Sequence, residues 1–366
     1  MRQYPRVRQP HRSRDPVRTP ERFSPRQQSS LAYFVYVTII SALQLVLVPF
    51  AVRRPSFARE EAKYLFWNLR RTGRLRPEPG SYNGLVQATM RRRPVDARLP
   101  LIADKYRVKP HISSILSDAG ISDDVTVPET LAVFASVDDV VQAEPDRFPV
   151  VLKSNADSGG VFIIRTRDDW KDITSGARLH GLHKRPYGYL NGEWHYSFIE
   201  PLFFLEEYIE SDGIDYKAHC VYGEIAFIQA IWDRPNGGKE GILLPDGRPT
   251  ALRLDEWFDT GTPPPIDAKT LSRMSIAAAA IVRPWPYMRL DMMRRGDRIV
   301  IGELTPFPRY GCYTTEDNRY LGSLLASTAA RWESSANSGA WKCMGREELD
   351  LRTRLLSGRY YQLPNR

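Results

Sequence analysis

From residue 31 the chain reads LAYFVYVTIISALQLVLVPFAV, without one charge, to residue 52. At a helical rise that run is long enough to cross a bilayer. Core helices seldom extend so far without a polar face, and the run is too long and too late for a cleaved signal peptide. The pattern therefore predicts a membrane anchor. Five Lys and Arg lie in the twenty or so residues before it and six in those after, which leaves its orientation open.

Helical periodicity follows. EEAKYLFWNLRRTG (60–73) places Tyr64, Trp67, Asn68 and Arg71 at helical spacing and ends at Gly73, a C-cap residue. LIADKYRVKPHISSIL (101–116) continues the helical pattern. After about 125, strand-like runs take over. VVL (150–152) and VFIIR (161–165) flank a Ser-Gly-Gly turn, then come LFFLEEYI (202–209), AHCVY (218–222) and IAFIQAIW (225–232). RLDEWF (253–258) sits in a Gly/Pro-rich insert. A helix over 267–282, DAKTLSRMSIAAAAIV, leads into RLDMMRRGDRIVIGELT (289–305), which reads as a hairpin, and YLGSLLASTAARWESS (320–335) reads as a closing helix. The organisation expected is a disordered Arg/Pro-rich tail (1–30), the hydrophobic helix (31–52), a mainly helical lead-in (55–124), an α+β domain (125–335) and a peripheral C-terminal segment (336–366).

Charge changes this picture little. The net charge is +9, but residues 1–30 hold eight arginines and five prolines against two acids. The excess lies in a Pro-broken tail that cannot form a packed basic surface, so a nucleic-acid partner is not expected. Cys220, Cys312 and Cys343 are scattered, with no CxxC or Cys/His spacing. That argues against a disulfide framework or a structural zinc and fits a reducing compartment.

Three stretches carry chemistry. In FPVVLKSNADSGG (148–160) an apolar strand delivers Lys153 beside a Gly-containing turn, which can lay backbone N–H groups against phosphate oxygens. An ordinary hairpin with a surface lysine has the same composition. No GxxxxGK[ST], GxGxxG before a helix, or HExxH occurs. In FFLEEYIESDGIDYKAHC (203–220), Glu206 and Glu207 close one strand, while Asp215 and Lys217 open the next on a shared face. They suit a ribose hydroxyl and a phosphate, or a solvated salt bridge. In the hairpin, Asp291 and Glu303 share a face if the connecting loop is odd in length. A three- or five-residue loop centred on Gly296 would set Asp291 opposite Ile301, with Glu303 on the adjacent diagonal. Two facing carboxylates suit Mg²⁺; one acid pointing to solvent is equally compatible with the pattern.

Taken together, these stretches resemble the ATP-grasp superfamily, and most closely its teichuronopeptide-biosynthesis (TupA-like) family. The matching phrases are ADKYRV (103–108), FPVVLKSNADSGG, YGYLNGEWHY (187–196), PLFFLEEYIE (201–210), DYKAHCVYGEIAFIQ (215–229) and GELTPFP (302–308). The resemblance implies an α+β ATP-grasp fold, two lobes gripping ATP. It implies that Lys153 contacts the α/β-phosphates under a loop of Ser158, Gly159 and Gly160. Glu206, Glu207, Tyr208 and Ile209 would hold adenine, Asp215 the ribose, and Lys217 the phosphates. Asp291 and Glu303 would bind Mg²⁺, and Arg289 would stabilise the acyl-transfer intermediate. Thr305 departs from the Asn common at this place but can still serve the metal. Lys105, Asp233 and Arg234 are candidate substrate contacts; Trp194 and Tyr196 read as core.

The activity implied is an ATP- and Mg²⁺-dependent carboxylate–amine ligase. It would join an amine or amino acid to a carboxylate-bearing cell-surface polysaccharide or precursor through an acyl-phosphate, at the cytoplasmic face of the inner (plasma) membrane. Two alternatives remain. One is a glycosyltransferase or nucleotide-sugar enzyme, with Asp123–Asp124 or Asp138–Asp139 as its metal motif. The other is a degenerate, non-catalytic ATP-grasp scaffold at the membrane, for which Thr305 is the argument.

Overall fold

The computed structural model describes residues 57–90, 96–183 and 193–337. The chain divides at Pro55/Ser56, and every described residue belongs to the second unit. The expected tail, the hydrophobic helix over 31–52, most of YGYLNGEWHY, the side chain of Trp194, Cys343 and the C-terminal segment from 338 lie outside the described residues. Among the described residues no helix is long and apolar enough to cross a membrane.

Four helices come first: α1 (Phe57–Thr72), α2 (Tyr82–Met90), α3 (Leu99–Ala103) and α4 (Val108–Asp118). Gly73 ends α1 as expected, at φ 70° with its N–H on the Leu69 carbonyl. The single helical stretch expected over 101–116 is instead two helices. Between them the buried Asp104 carboxylate accepts the N–H groups of Tyr106 (3.0 Å) and Arg107 (2.9 Å) and turns the chain.

After β1 (Val125–Thr126) comes a four-stranded antiparallel sheet. Its strands are β2 (Thr130–Phe134), β3 (Val150–Ser154), β4 (Val161–Ile164) and β5 (Phe203–Glu207), in the order β2-β5-β3-β4. Alternation splits its residues cleanly. Val150, Leu152, Phe162, Ile164, Phe203 and Leu205 form a core with Val140, Trp170 and Leu179 from α5 (Val137–Gln142), α6 (Arg167–Ser175) and α7 (Ala177–Gly181). Val151, Lys153, Phe204 and Glu206 take the other face. Ser136/Asp139 and Thr166/Asp169 form capping boxes that start α5 and α6. Asp139 is thus a cap and Asp138 a first-turn acid, while Asp124 pairs with Arg273. Asp124 and Asp139 are therefore engaged locally.

The larger sheet comprises β6 (Asp215–Val221), β7 (Glu224–Trp232), β8 (Lys239–Leu243), β9 (Pro249–Thr250), β10 (Asp259–Thr260), β11 (Met288–Arg295) and β12 (Arg298–Thr305), with β1 at one edge. Its order is β1-β12-β11-β6-β7-β8-β10, with β9 on β8. One face supplies Tyr216, Ala218, Ile228, Ala230, Leu290 and Met292 to a core shared with Met274, Ala277 and Ile281 of α8 (Ala268–Val282). The closing helix α9 (Asn318–Asn337) packs on α2.

The hairpin corrects the expected register. Its turn is the two-residue Gly296–Asp297, with Arg295 opposite Arg298, an even loop whose twist suits the flanking strands. A bulge then changes the register: Met292 faces Ile301, but Asp291 faces Glu303, leaving Gly302 as the extra residue. The two acids are therefore directly cross-strand, closer than the diagonal expected.

Gly296 and Gly311 both have φ 59°, with different surroundings. A Cβ on Gly296 would meet nothing within 4 Å, whereas on Gly311 it would lie 2.9 Å from the Asn83 carbonyl and 3.1 Å from Val86 Cβ. Urea unfolding should show Gly296→Asn losing about 1 kcal/mol, from backbone strain alone. Gly311→Ala should lose about 2–3 kcal/mol; equal effects would refute the packing argument.

Candidate active site

Three strands set a row of charges across the face of the large sheet opposite its α8-packed core. Glu303, Asp291 and Lys217 are register partners on β12, β11 and β6, and one pleat along so are Thr305, Arg289 and His219. Arg289 grips Asp291 in a bidentate fork, Nε to Oδ1 at 2.6 Å and Nη2 to Oδ2 at 2.7 Å. The same Nη2 reaches Thr305 Oγ1 at 3.1 Å and Glu303 Oε1 at 3.3 Å. Lys217 Nζ donates to Asp291 Oδ2 at 2.5 Å. Burial opposes ionisation of Asp291, but Arg289 and then Lys217 outweigh it and hold the carboxyl well below its usual range. Burial likewise opposes the Arg289 charge, and Asp291 overrides it.

Behind Arg289, His219 Nδ1 meets Tyr287 Oη (2.8 Å) and Tyr82 Oη (3.1 Å), and its ring stacks on Phe227 at 4.4 Å. Burial, with the Arg289 charge adding to it, pushes this imidazole well below its ordinary pKa. It is a neutral wall beside the charged row.

The small sheet contributes a second cluster. Glu206 is buried between two lysines: Lys153 contacts Oε1, and Lys109 from α4 contacts Oε2 at 2.7 Å. Lys109 also donates to the Pro128 carbonyl at 3.1 Å and Thr130 Oγ1 at 3.3 Å. Burial lowers its pKa, with Glu206 opposing. Val161 and Ile163, on the Lys153 side of the sheet, remain 37% and 45% exposed, an apolar surface beside cations.

The glycine turn is closed by Ser154 N–H on the Gly160 carbonyl (2.8 Å) and Gly160 N–H on Asp157 Oδ1 (2.9 Å). Gly159 has φ 92°, and Ser158 and Gly159 are exposed. Lys105 joins this turn to the hairpin: its buried Nζ donates to the Asp157 carbonyl and lies 4.0 Å from Glu303 Oε2 and 5.4 Å from the Tyr196 ring centre. Tyr196 itself is buried with Ala103, Ala156 and Ile199.

At the link between the sheets, Glu207 pairs with Arg295 at 2.8 Å and accepts the Glu129 N–H at 3.1 Å. Arg165 lies over the Tyr208 ring at 6.0 Å, and Ile209 is buried. Asp215 accepts from Arg234 Nε at 2.7 Å, and Asp233 pairs with Lys239 at 3.5 Å. Those two lie at the β7–β8 end of the sheet, tied to neighbours rather than to the Arg289 row. Sequence reasoning missed Lys109 and His219. A second lysine four residues after Lys105 was the available sign of the first; nothing marked His219 as buried.

Among the described residues no three His, Cys, Asp or Glu side chains converge on a metal position. Asp291, Glu303 and Thr305 nevertheless offer an oxygen-only donor set. Mg²⁺ keeps several waters and is commonly held by one or two carboxylates plus substrate phosphates, so this pair fits an ion that arrives with a nucleotide.

His195, 1% exposed, gives a pH test. Burial and then the Lys105 charge lower its pKa to about 3 from 6.5. A depressed histidine contributes stability above its unfolded pKa and loses it as pH falls towards the folded value. Between pH 6.5 and 3 it should cost the wild type up to about 1.4 kcal/mol per pH unit. Urea unfolding of His195→Gln over that range should lack this component of the slope; parallel slopes would refute it.

A family model described as TupA-like ATPgrasp matches residues 86–326. No curated protein matches the chain. Among solved structures, it is similar to an L-amino acid ligase from Bacillus licheniformis, at 13% identity and TM-score 0.34, covering 56% of this chain and 43% of that one. It is also similar to a D-alanine–D-alanine ligase from Bacillus anthracis (17%, TM-score 0.33, 64% and 69% covered). A third is the ATP-grasp ligase PsnB complexed with a phosphomimetic variant of its minimal precursor, Mg and ADP (14%, TM-score 0.33, 64% and 60% covered). The chain thus spans less than half of the first of these proteins. The family match runs through both sheets and the charged rows on them, and the chain belongs to the TupA-like ATP-grasp family.

Proposed function

We propose that this chain is an ATP- and Mg²⁺-dependent carboxylate–amine ligase acting on a cell-surface polysaccharide or its precursor. The observation that carries the reading is the Glu303–Asp291–Lys217 row with Arg289 beside it, joined through Lys105 to a lysine-bearing glycine turn. Lys153 and Lys109 would take phosphate oxygens of ATP in place of the Glu206 carboxylate, and Val161 and Ile163 would offer the base an apolar surface. The Glu207–Ile209 backbone would hold the adenine edge, with Asp215 on the ribose. Asp291 and Glu303, with Thr305, would hold Mg²⁺, which when bound offsets charge on the phosphate oxygens.

The chemistry asks for positioning and charge neutralisation rather than a protein nucleophile. A substrate carboxylate oxygen attacks the γ-phosphorus and ADP leaves, giving an acyl-phosphate. An amine then attacks the acyl carbon, forming the C–N bond and releasing phosphate and a proton. Arg289 would neutralise the oxyanion of that second step, and Lys217 the transferring phosphoryl group. The hydrophobic run over 31–52 supports a membrane anchor, and a need for ATP places the catalytic unit on the cytoplasmic face.

Saturating Mg·ATP should raise the melting temperature of the full chain. ADP release screened over uronic acids and amino acids should identify a productive pair. With it, Glu303→Gln should lower kcat by about 100-fold or more. Full activity in that variant would sink the metal assignment, and no thermal shift with Mg·ATP would sink the reading as a whole.

A further inference from the structure

The helices α2 and α9 pack together from a tight start. A Cβ on Gly322 would run into the Gly80 carbonyl and the Ser81–Tyr82 peptide, so glycine lets α9 approach the head of α2 this closely. Further along, short side chains leave the space between the helices open. Leu85 and Ala88 on α2, with Leu325, Ala326 and Ala329 on α9, line a groove of about 290 Å³ that Tyr287 also borders. The rings of Tyr222 and Trp332 stack at 3.9 Å about one helical turn beyond Ala329.

The polar atoms of this lining are already engaged. Thr89 Oγ1 donates to the Leu85 carbonyl at 3.1 Å, and Tyr287 Oη meets Tyr82 Oη and His219 Nδ1, each at 2.8 Å. Small-molecule sites combine an apolar wall with a few polar groups that orient the ligand, and they enclose roughly 300–1,000 Å³. A groove at the lower end of that range, with its hydroxyls spent, suits apolar side chains carried in on a peptide segment.

The chain supplies such a segment. α9 forms one wall and passes at Asn337 into residues 338–366, where LDLRTRLL (349–356) carries Leu349, Leu351, Leu355 and Leu356. Ala329 lies about 12 Å and Leu325 about 18 Å back along the helix from Asn337. An extended chain covers about 3.3 Å per residue, so residues 338–348 reach back past Leu325 with length to spare. Charge agrees with this return. Arg352 and Arg354 lie among the leucines, and the exposed side chain of Glu224 is carried by the register partner of Val221, a groove residue.

We propose that the groove between α2 and α9 is the docking site of the chain's own residues 349–356, whose leucines fill it. The position of Tyr287 gives this contact a consequence. Tyr287 holds His219, the register partner of Arg289, so a docked segment backs the wall behind the charged row. The docking is independent of the ligase reading.

Limited trypsin digestion of the full chain, followed by mass spectrometry, tests it, since cleavage tracks the population of the opened form. Cleavage after Arg352 and Arg354 should be about tenfold slower, or more, than in an isolated 338–366 peptide. Ala326 is exposed on the groove side of α9, so Ala326→Glu should keep the wild-type melting temperature yet bring cleavage close to the peptide rate. Leu355→Ser combined with Leu356→Ser should do the same from the other side of the contact. Equal cleavage rates in wild type and Ala326→Glu would overturn the proposal, as would a wild-type rate equal to that of the peptide. Protection that disappears on dilution as a dimer dissociates would assign the groove to a second copy and overturn it too. So would phospholipid that co-purifies with wild type but not with Ala326→Glu while cleavage stays the same, which would assign the groove to an acyl chain.

Discussion

The fork between the Arg289 guanidinium and the Asp291 carboxylate is buried between strands, where either charge alone would cost several kcal/mol in lost hydration. Other polar groups of the row depend on it. Glu303 and Thr305 take the remaining reach of Nη2, and Lys217 can be largely buried only because Asp291 is ionised beside it. Such a network is no bargain for folding alone, since well-packed apolar residues of similar volume are often as stable or more so. Its presence on one face, with an apolar core on the opposite face of the same strands, marks the row as a candidate functional site.

Much of this was legible in the amino-acid pattern because the strands alternate so regularly. The β3 run VVLKS puts its apolar residues and Lys153 where a period of two predicts, and the DAKTLSRMSIAAAAIV helix begins at its Asp267 cap. The shared face of Asp291 and Glu303 was also readable, but the reason for it was not. An odd loop and an even loop with a bulge satisfy the same parity, and Gly302 in an apolar strand does not say which applies.

Buried charges were the harder part. Lys109 sits on a helix where lysines are ordinarily solvated, and Glu206 closes a strand like any edge acid. Only the packing of α4 across the small sheet turns them into one ion-pair cluster with Lys153. The Asp138–Asp139 pair misled in the opposite sense: a Ser two or three residues before it spells a capping box, which absorbs the acids locally.

The imbalance of this charge set has a kinetic meaning. Lys105, Lys109, Lys153, Lys217 and Arg289 stand against Asp157, Glu206, Asp291 and Glu303. The surplus is positive and gathered on facing groups with low-dielectric walls, an arrangement that concentrates anions and speeds their arrival. That attraction acts through solvent and decays over a Debye length of about 10 Å at 0.1 M salt, whereas the buried Arg289–Asp291 fork is little screened. Ionic strength would therefore slow the capture of an anionic ligand by this chain while leaving the geometry that receives it unchanged.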